Sequence, residues 1–271
     1  MTYISPRAKI HPQVYIGKNV SILGECIIES GVVIEDNCII GKPSRPQLGT
    51  LHQRLKAGQL GTDPESYDAI VDTPTHIGED TIIHSGCLIY TGVQLGRACM
   101  LEDNCVIRWD TVVGDCSKIL ISAFLGAYVT VGQYSSVTSV VGNGCKIGNY
   151  CSSFGKLIHT YRMFDVGMGS LEALRAAYSQ FDVGVKEPSP TLEDHVTIGH
   201  DATVIGHITV GTRAYVASQS LVTKDVPPDH VVIGFNEQHH ILEWSGALRE
   251  QHLAFYGTPQ NPGQAEEHPE G

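Results

Sequence analysis

Thirteen histidines occur in this 271-residue chain, and several stand in stretches that could handle a proton: His84 in TIIHSG, His159 in LIHTYRMFD, and His200 and His207 in IGHDATVIGHITVG. Imidazole titrates near neutrality, so it can accept a proton from a hydroxyl or amine as that group attacks an electrophile. Cations accompany them. Lys224 lies in VTKDV, Arg213 is close to it, and Tyr161 and Arg162 follow His159 directly. Local positive charge is notable in a chain of formal net charge −11. That acidity argues against nucleic acid, which calls for a basic stripe.

Eight cysteines raise a different chemistry, disulfides or a metal cluster, but no CxxC pair is present. Their role follows from the element that carries them. Isoleucine stands at 4, 10, 16, 22, 28, 34 and 40, every sixth residue. A second run leads from Ile77 through Ile83, Ile89, Leu95 and Leu101 to Val137, slips, and restarts at Val141 and Ile147. A third runs Leu192, Ile198, Val204, Val210, Val216 and Val222. A helix repeats its apolar face at about 3.6 residues and a strand at 2, so six fits neither. It fits a short strand and a corner, three of which close a triangular coil, as in hexapeptide β-helix repeats. Roughly nine coils at about 4.7–4.9 Å each give a prism about 40 Å tall.

Four residues after each aliphatic stands a small or compact residue, among them Ala8, Cys26, Cys38, Thr81, Cys87 and Ala202. Cys26, Cys38, Cys87, Cys99, Cys105, Cys145 and Cys151 share this phase, and Cys116 lies one residue before it. They read as small buried hydrophobes in a reducing, cytoplasmic setting. The N-terminal MTYISPRAK has no apolar signal region, and no segment is long enough to span a membrane. Glycine is plentiful, as corners with unusual φ/ψ require.

The expected fold is therefore an all-β solenoid over residues 1–234, a parallel β-helix with two long loop excursions at about 42–76 and 155–190. Within the second, SLEALRAAYSQ reads as a short helix capped by Ser170 with Leu171, Leu174 and Tyr178 on one face. Pro227-Pro228 ends the repeat. Residues 235–257, containing His239 and His240 as surface residues, read as a C-terminal helix, and 258–271 as a disordered tail. Long excursions from a rigid scaffold are natural walls for a substrate site.

The hexad phase, the loop opening HTYRMFD, and the closing TIGHDATVIGHITVGTRAYVASQSLVTKDVPP together resemble the left-handed β-helix, hexapeptide-repeat acyltransferases. The resemblance covers about Ile4 to Gly234. IGFNEQHH stands where that family often has a GNPA-like turn. It implies left-handed coils, an exception to the right-handed crossover rule, a homotrimer with active sites between subunits, and acetyl or other acyl transfer from coenzyme A to a small molecule such as a sugar or nucleotide-sugar. It implies no metal and no membrane or nucleic-acid partner. It places the catalytic base at His159, with His84 and His200 as further candidates. It puts the coenzyme near Lys224, with Arg213, Ala217, Ser218 and Thr223 close to it in sequence, and proximity to His159 puts Tyr161 and Arg162 near the acceptor.

Two other readings fit a β-helix. In one, the chain is a non-catalytic interaction scaffold, which the excursions and HTYR argue against. In the other it is a γ-class carbonic anhydrase, suggested by IRWDTV with Arg108 and Asp110. Zinc there needs three histidines. His200 and His207 are seven residues apart where five are needed, and the coil after Arg108 has no histidine.

Overall fold

Each six-residue unit forms a strand of two to four residues followed by a turn, and up to the last coil each strand pairs in parallel with the third strand after it. The computed structural model describes residues 2–159 and 188–259. Three faces result. The first has ten strands, from Tyr3–Ile4 to Leu221–Val222; the second has nine, from Lys9–Ile10 to Thr209–Val210; the third has eleven, from Tyr15–Ile16 to Glu237–His240. This is the expected all-β solenoid. The register keeps the hexad phase, for instance Leu95 beside Val113 and Val113 beside Val131. The aliphatic positions and the small positions both point inward and form one continuous core.

The prism is taller than the sequence suggested, with ten strands rather than about nine on its first face. At about 4.8 Å per coil it stands about 45 Å. The hexad phase is hidden where Val137 is followed by Val141 and Ser153 by Leu157, four residues on instead of six. Each of these coils takes 16 residues, as the pairings of Val141 with Leu125 and of Leu157 with Val141 show. Ser153 also fills an aliphatic position, fully buried, with no partner for its hydroxyl.

Glycine is needed for a different reason than the sequence indicated. The left-handed corner position is filled mostly by other residues, including Cys116 (φ 58°), Tyr128 (60°), Tyr134 (55°) and Tyr150 (56°). Instead, glycine follows the inward aliphatic, where successive coils touch. A Cβ on Gly132 would sit 2.6 Å from the carbonyl carbon of Gly148, and one on Gly78 2.6 Å from that of Gly96.

The first excursion is helical rather than a plain loop. Ser44 caps α1 (Arg45–Lys56) in a reciprocal capping box with Gln47, and Gln47 Nε2 donates to Asp72 at 2.6 Å. The signal SRPQ was present in the sequence. A second helix, α2 (Pro64–Asp68), ends on a buried carboxylate. Asp68 accepts from Gly24 N at 2.6 Å and Ser5 Oγ at 2.9 Å, tying the excursion to the first coils. The helix read at 170–180 lies outside the described residues, as does the tail from 260.

The C-terminal segment differs from the single helix expected for 235–257. Glu237–His240 turns back as an antiparallel strand on His230–Ile233, so His239 and His240 lie on a strand. Gly234 and Asn236, both at positive φ, make the reversal. Pairing with the last coil satisfies an otherwise open edge, and this outweighs the helical spacing of Ile241, Leu242 and Trp244. The helix α3 is limited to Ala247–Tyr256.

Two outcomes follow. Gly132→Ala forces coils apart and should destabilise the protein by about 1–3 kcal/mol, the usual cost of overpacking; an unchanged thermal midpoint would show that the coils spread freely. Seven cysteines are buried and only Cys116 is partly exposed. Burial pushes the Cys26 and Cys145 thiols up to about 12. A thiol reagent should therefore label native protein once, at Cys116, and unfolded protein at all eight cysteines; Cys116→Ser should abolish native labelling.

Candidate functional site at two corners of one apolar face

The outward row of the first face is apolar from Ile39 through Leu88, Val106 and Phe124 to Val140, and polar above that at Lys156 and Thr203. The corresponding row of the second face is mostly polar, with Lys9, His76, Gln94, Thr130, Lys146 and Thr191, interrupted by Ile27 and Val112. The middle of the first face is therefore the more apolar of the two. Two corners border it, and most predicted residues stand on them.

His159 is on the corner between the first and second faces, directly after the strand Lys156–Ile158. The pairing of Leu157 with Val204, and of Val204 with Val222, puts Lys224 two coils above His159 on that corner. At about 4.8 Å per coil the separation along the axis is about 10 Å. Gly142, one coil below, gives the imidazole its seat, since a Cβ there would come within 2.8 Å of His159 Cδ2. The turn bearing Lys224 is held by Asn236. Its Oδ1 accepts from Thr223 N, and its Nδ2 donates to Thr223 Oγ1, both at 2.8 Å. Sequence reasoning missed Gly142 and Asn236, although FNEQ in place of the GNPA-like turn was a signal.

The corner between the third and first faces carries His84, His200, Ala217 and Ser218. His200 stacks on Phe154 at 4.9 Å with their planes 12° apart. Ser218 lies over Gly199, where a Cβ would meet Ser218 N at 2.5 Å. Both short turns, 137–141 and 153–157, fall on this corner. Two successive coils each lose two residues here, and Phe154 in the second shortened turn lies against His200, at about the height of His159. Phe154 was not foreseen from the sequence. His84 lies five coils below His200 on the third face, about 24 Å away, so the two cannot serve one site.

Arg213 belongs elsewhere. It stands on the corner between the second and third faces, and its guanidinium forks onto Asp229 through two contacts of 2.7 Å. The structure thus places it on a different corner from Lys224, engaged by Asp229. Its position in the chain, near Lys224, hid the half-coil between them. Asp229 also accepts from His252 Nε2 of α3 at 3.1 Å. Burial raises the Asp229 pKa, but Arg213 and then His252 outweigh it and hold the carboxyl below its usual range. Tyr134, Tyr150 and His195 stack up the same corner at 5.2 and 5.0 Å, and Tyr256 closes the row edge-on at 5.3 Å.

Tyr161 and Arg162 lie outside the described residues. In IRWDTV, the Arg108 guanidinium covers the Trp109 ring at 4.0 Å, and burial, then Asp72, pushes the Asp110 carboxyl up. No three histidines gather there among the described residues.

Two family profiles match the chain, "Bacterial transferase hexapeptide (six repeats)" over residues 74–108 and "Hexapeptide repeat of succinyl-transferase" over 13–41. Both profiles describe the hexapeptide repeat that forms these coils. The chain is 26% identical over 247 residues to the bifunctional protein GlmU of Thermodesulfovibrio yellowstonii, covering 83% of this chain and 54% of that one. It is 29% identical over 240 residues to GlmU of Trichlorobacter lovleyi, covering 79% and 52%. The chain thus spans about half the length of these relatives. Among solved structures, LpxA from Moraxella catarrhalis aligns at 15% identity with a TM-score of 0.34, covering 96% of this chain and 84% of that one. No helix among the described residues is long and apolar enough to cross a membrane.

The His252 cluster predicts a pH dependence. Burial lowers the His252 pKa below 6.5, against Asp229, which raises it, and with Arg213 and His240, which lower it further. Tyr256 packs on its ring at 5.0 Å. The folded state then prefers the neutral imidazole. Its contribution is complete above pH 6.5 and is lost as pH falls from 6.5 through the lower folded value. The thermal midpoint should fall more between pH 7.5 and 5.5 in the native protein than in His252→Gln; equal falls would remove His252 from the account.

Proposed function

We propose that the protein is an acyltransferase that moves an acyl group, acetyl in the simplest case, from coenzyme A to a hydroxyl or amine of a small molecule such as a sugar or nucleotide-sugar. The observation that carries this reading is the arrangement about the first face. His159 and Lys224 share one of its corners, and the shortened turns with the stacked Phe154 and His200 lie at about the same height on the other.

A ring of three copies explains why two corners matter. Cyclic association joins two different patches of the same chain. With the apolar first face turned toward the three-fold axis, the corner bearing His159 meets the neighbouring copy's corner bearing His200, Ala217 and Ser218. Neither corner makes a cleft alone. The acyl-coenzyme would lie along this seam with Lys224 and Thr223 near its polar end.

The chemistry is a direct displacement. The acceptor oxygen or nitrogen bonds to the thioester carbonyl carbon while neutral His159 takes its proton. Backbone N–H groups stabilise the oxyanion of the tetrahedral intermediate. The intermediate collapses by breaking the carbon–sulfur bond, and the imidazolium returns its proton to the departing thiolate. Acylated acceptor and free coenzyme A leave.

His159→Ala should lower turnover by roughly 10²–10⁴, the worth of a general base, in a thiol-release assay over an acceptor panel, with assembly and acyl-coenzyme affinity retained. Near-normal turnover would reject His159 as the base. Lys224→Glu should raise KM for the acyl-coenzyme more than it lowers kcat. Phe124→Glu, on the apolar row, should give inactive monomers by light scattering; an active monomer would refute the seam.

A further inference from the structure

Lower on the third–first corner, three side chains with metal-ligating atoms converge. Glu35, His84 and Asp103 follow the paired strands Val33–Ile34, Ile82–Ile83 and Met100–Leu101, on three successive coils. One donor atom from each lies within 4.8 Å of the others. We propose that this trio binds one divalent transition-metal ion, with Zn²⁺ and Mn²⁺ the best matched.

The geometry supports an ion over a simple ion pair. Two donors each about 2.1 Å from a tetrahedral ion stand about 3.4 Å apart. His84 Nδ1 lies 3.4 Å from Glu35 Oε2, longer than a good hydrogen bond and suited to two ligands of one ion. Glu35 is already positioned, because its Oε2 accepts from Ser85 N at 3.1 Å and Ser85 Oγ at 3.0 Å. Among the described residues neither carboxylate pairs with a lysine or arginine, and the Asp103 carboxylate has no hydrogen-bond partner.

The donor set selects the metal class. One imidazole with two carboxylates suits borderline ions. Ca²⁺ and Mg²⁺ prefer all-oxygen shells and gain little from His84. Three protein donors leave a coordination position for water. His84 and Glu35 side chains are 32% and 40% exposed, so an ion can enter. The trio sits on the third face about five coils, or roughly 24 Å, below His200, and is separate from the proposed transfer site.

The test uses the full chain, stripped with EDTA and dialysed. Zn²⁺ or Mn²⁺ is titrated by calorimetry, and Co²⁺ is added as a visible-absorption probe. The expected result is about one ion per chain, with a raised thermal midpoint and a Co²⁺ spectrum. Asp103→Asn and His84→Gln should each weaken binding at least tenfold and keep the metal-free midpoint. The assignment is overturned if the native chain binds no ion, if both variants bind as it does, or if His239→Ala abolishes binding while Asp103→Asn leaves it intact. Should His84→Gln fail to fold, Asp103→Asn alone decides.

Discussion

The structure depends on one contact, the approach of each coil to the next at the spacing of a parallel β pair. Inward isoleucine, leucine and valine fill the triangular section, and a glycine after many of them removes the only atom that would hold two coils apart. Every strand is two to four residues long, too short to persist alone. It survives because it has a hydrogen-bonded neighbour above and below, as in other stacked repeats. The N-terminal end shows what happens without a lower neighbour: Ile4 is 44% exposed although it continues the hexad phase.

That stacking makes the corners functional surfaces. Residues from distant parts of the chain are brought into vertical rows at fixed spacing, with little freedom to move. The row Tyr134, Tyr150, His195 and Arg213 spans 80 residues of sequence and only a few coils of height. The non-glycine residues held at positive φ on these corners cost roughly 1 kcal/mol each. The core tolerates this because the neighbouring coils determine the turn.

The two shortened coils change the molecule most. Dropping two residues at one corner, twice in succession, leaves the core pairing intact while shortening that corner. The deletion costs little stability, since the inward row continues through Val141 and Leu157. It alters shape on the corner that borders the apolar face, opposite His159. A uniform solenoid would offer a smooth edge there.

The sequence alone determined the solenoid, its inward rows and the burial of seven cysteines, because a period of six is imposed locally by each strand and corner. It also pointed to His159 and Lys224 as the pair to examine. It did not determine which side chains share a corner. That assignment needs eighteen residues per coil, and the 16-residue coils together with the first excursion break the count. Arg213 thus looked like a neighbour of Lys224 but faces Asp229 on another corner, and the helical spacing after Gly234 gave way to a strand because an open sheet edge was available. Glu35, His84 and Asp103 are 68 residues apart end to end and carry no metal motif in the linear chain. Only the tertiary stack, by setting three coils one above another, makes them a cluster.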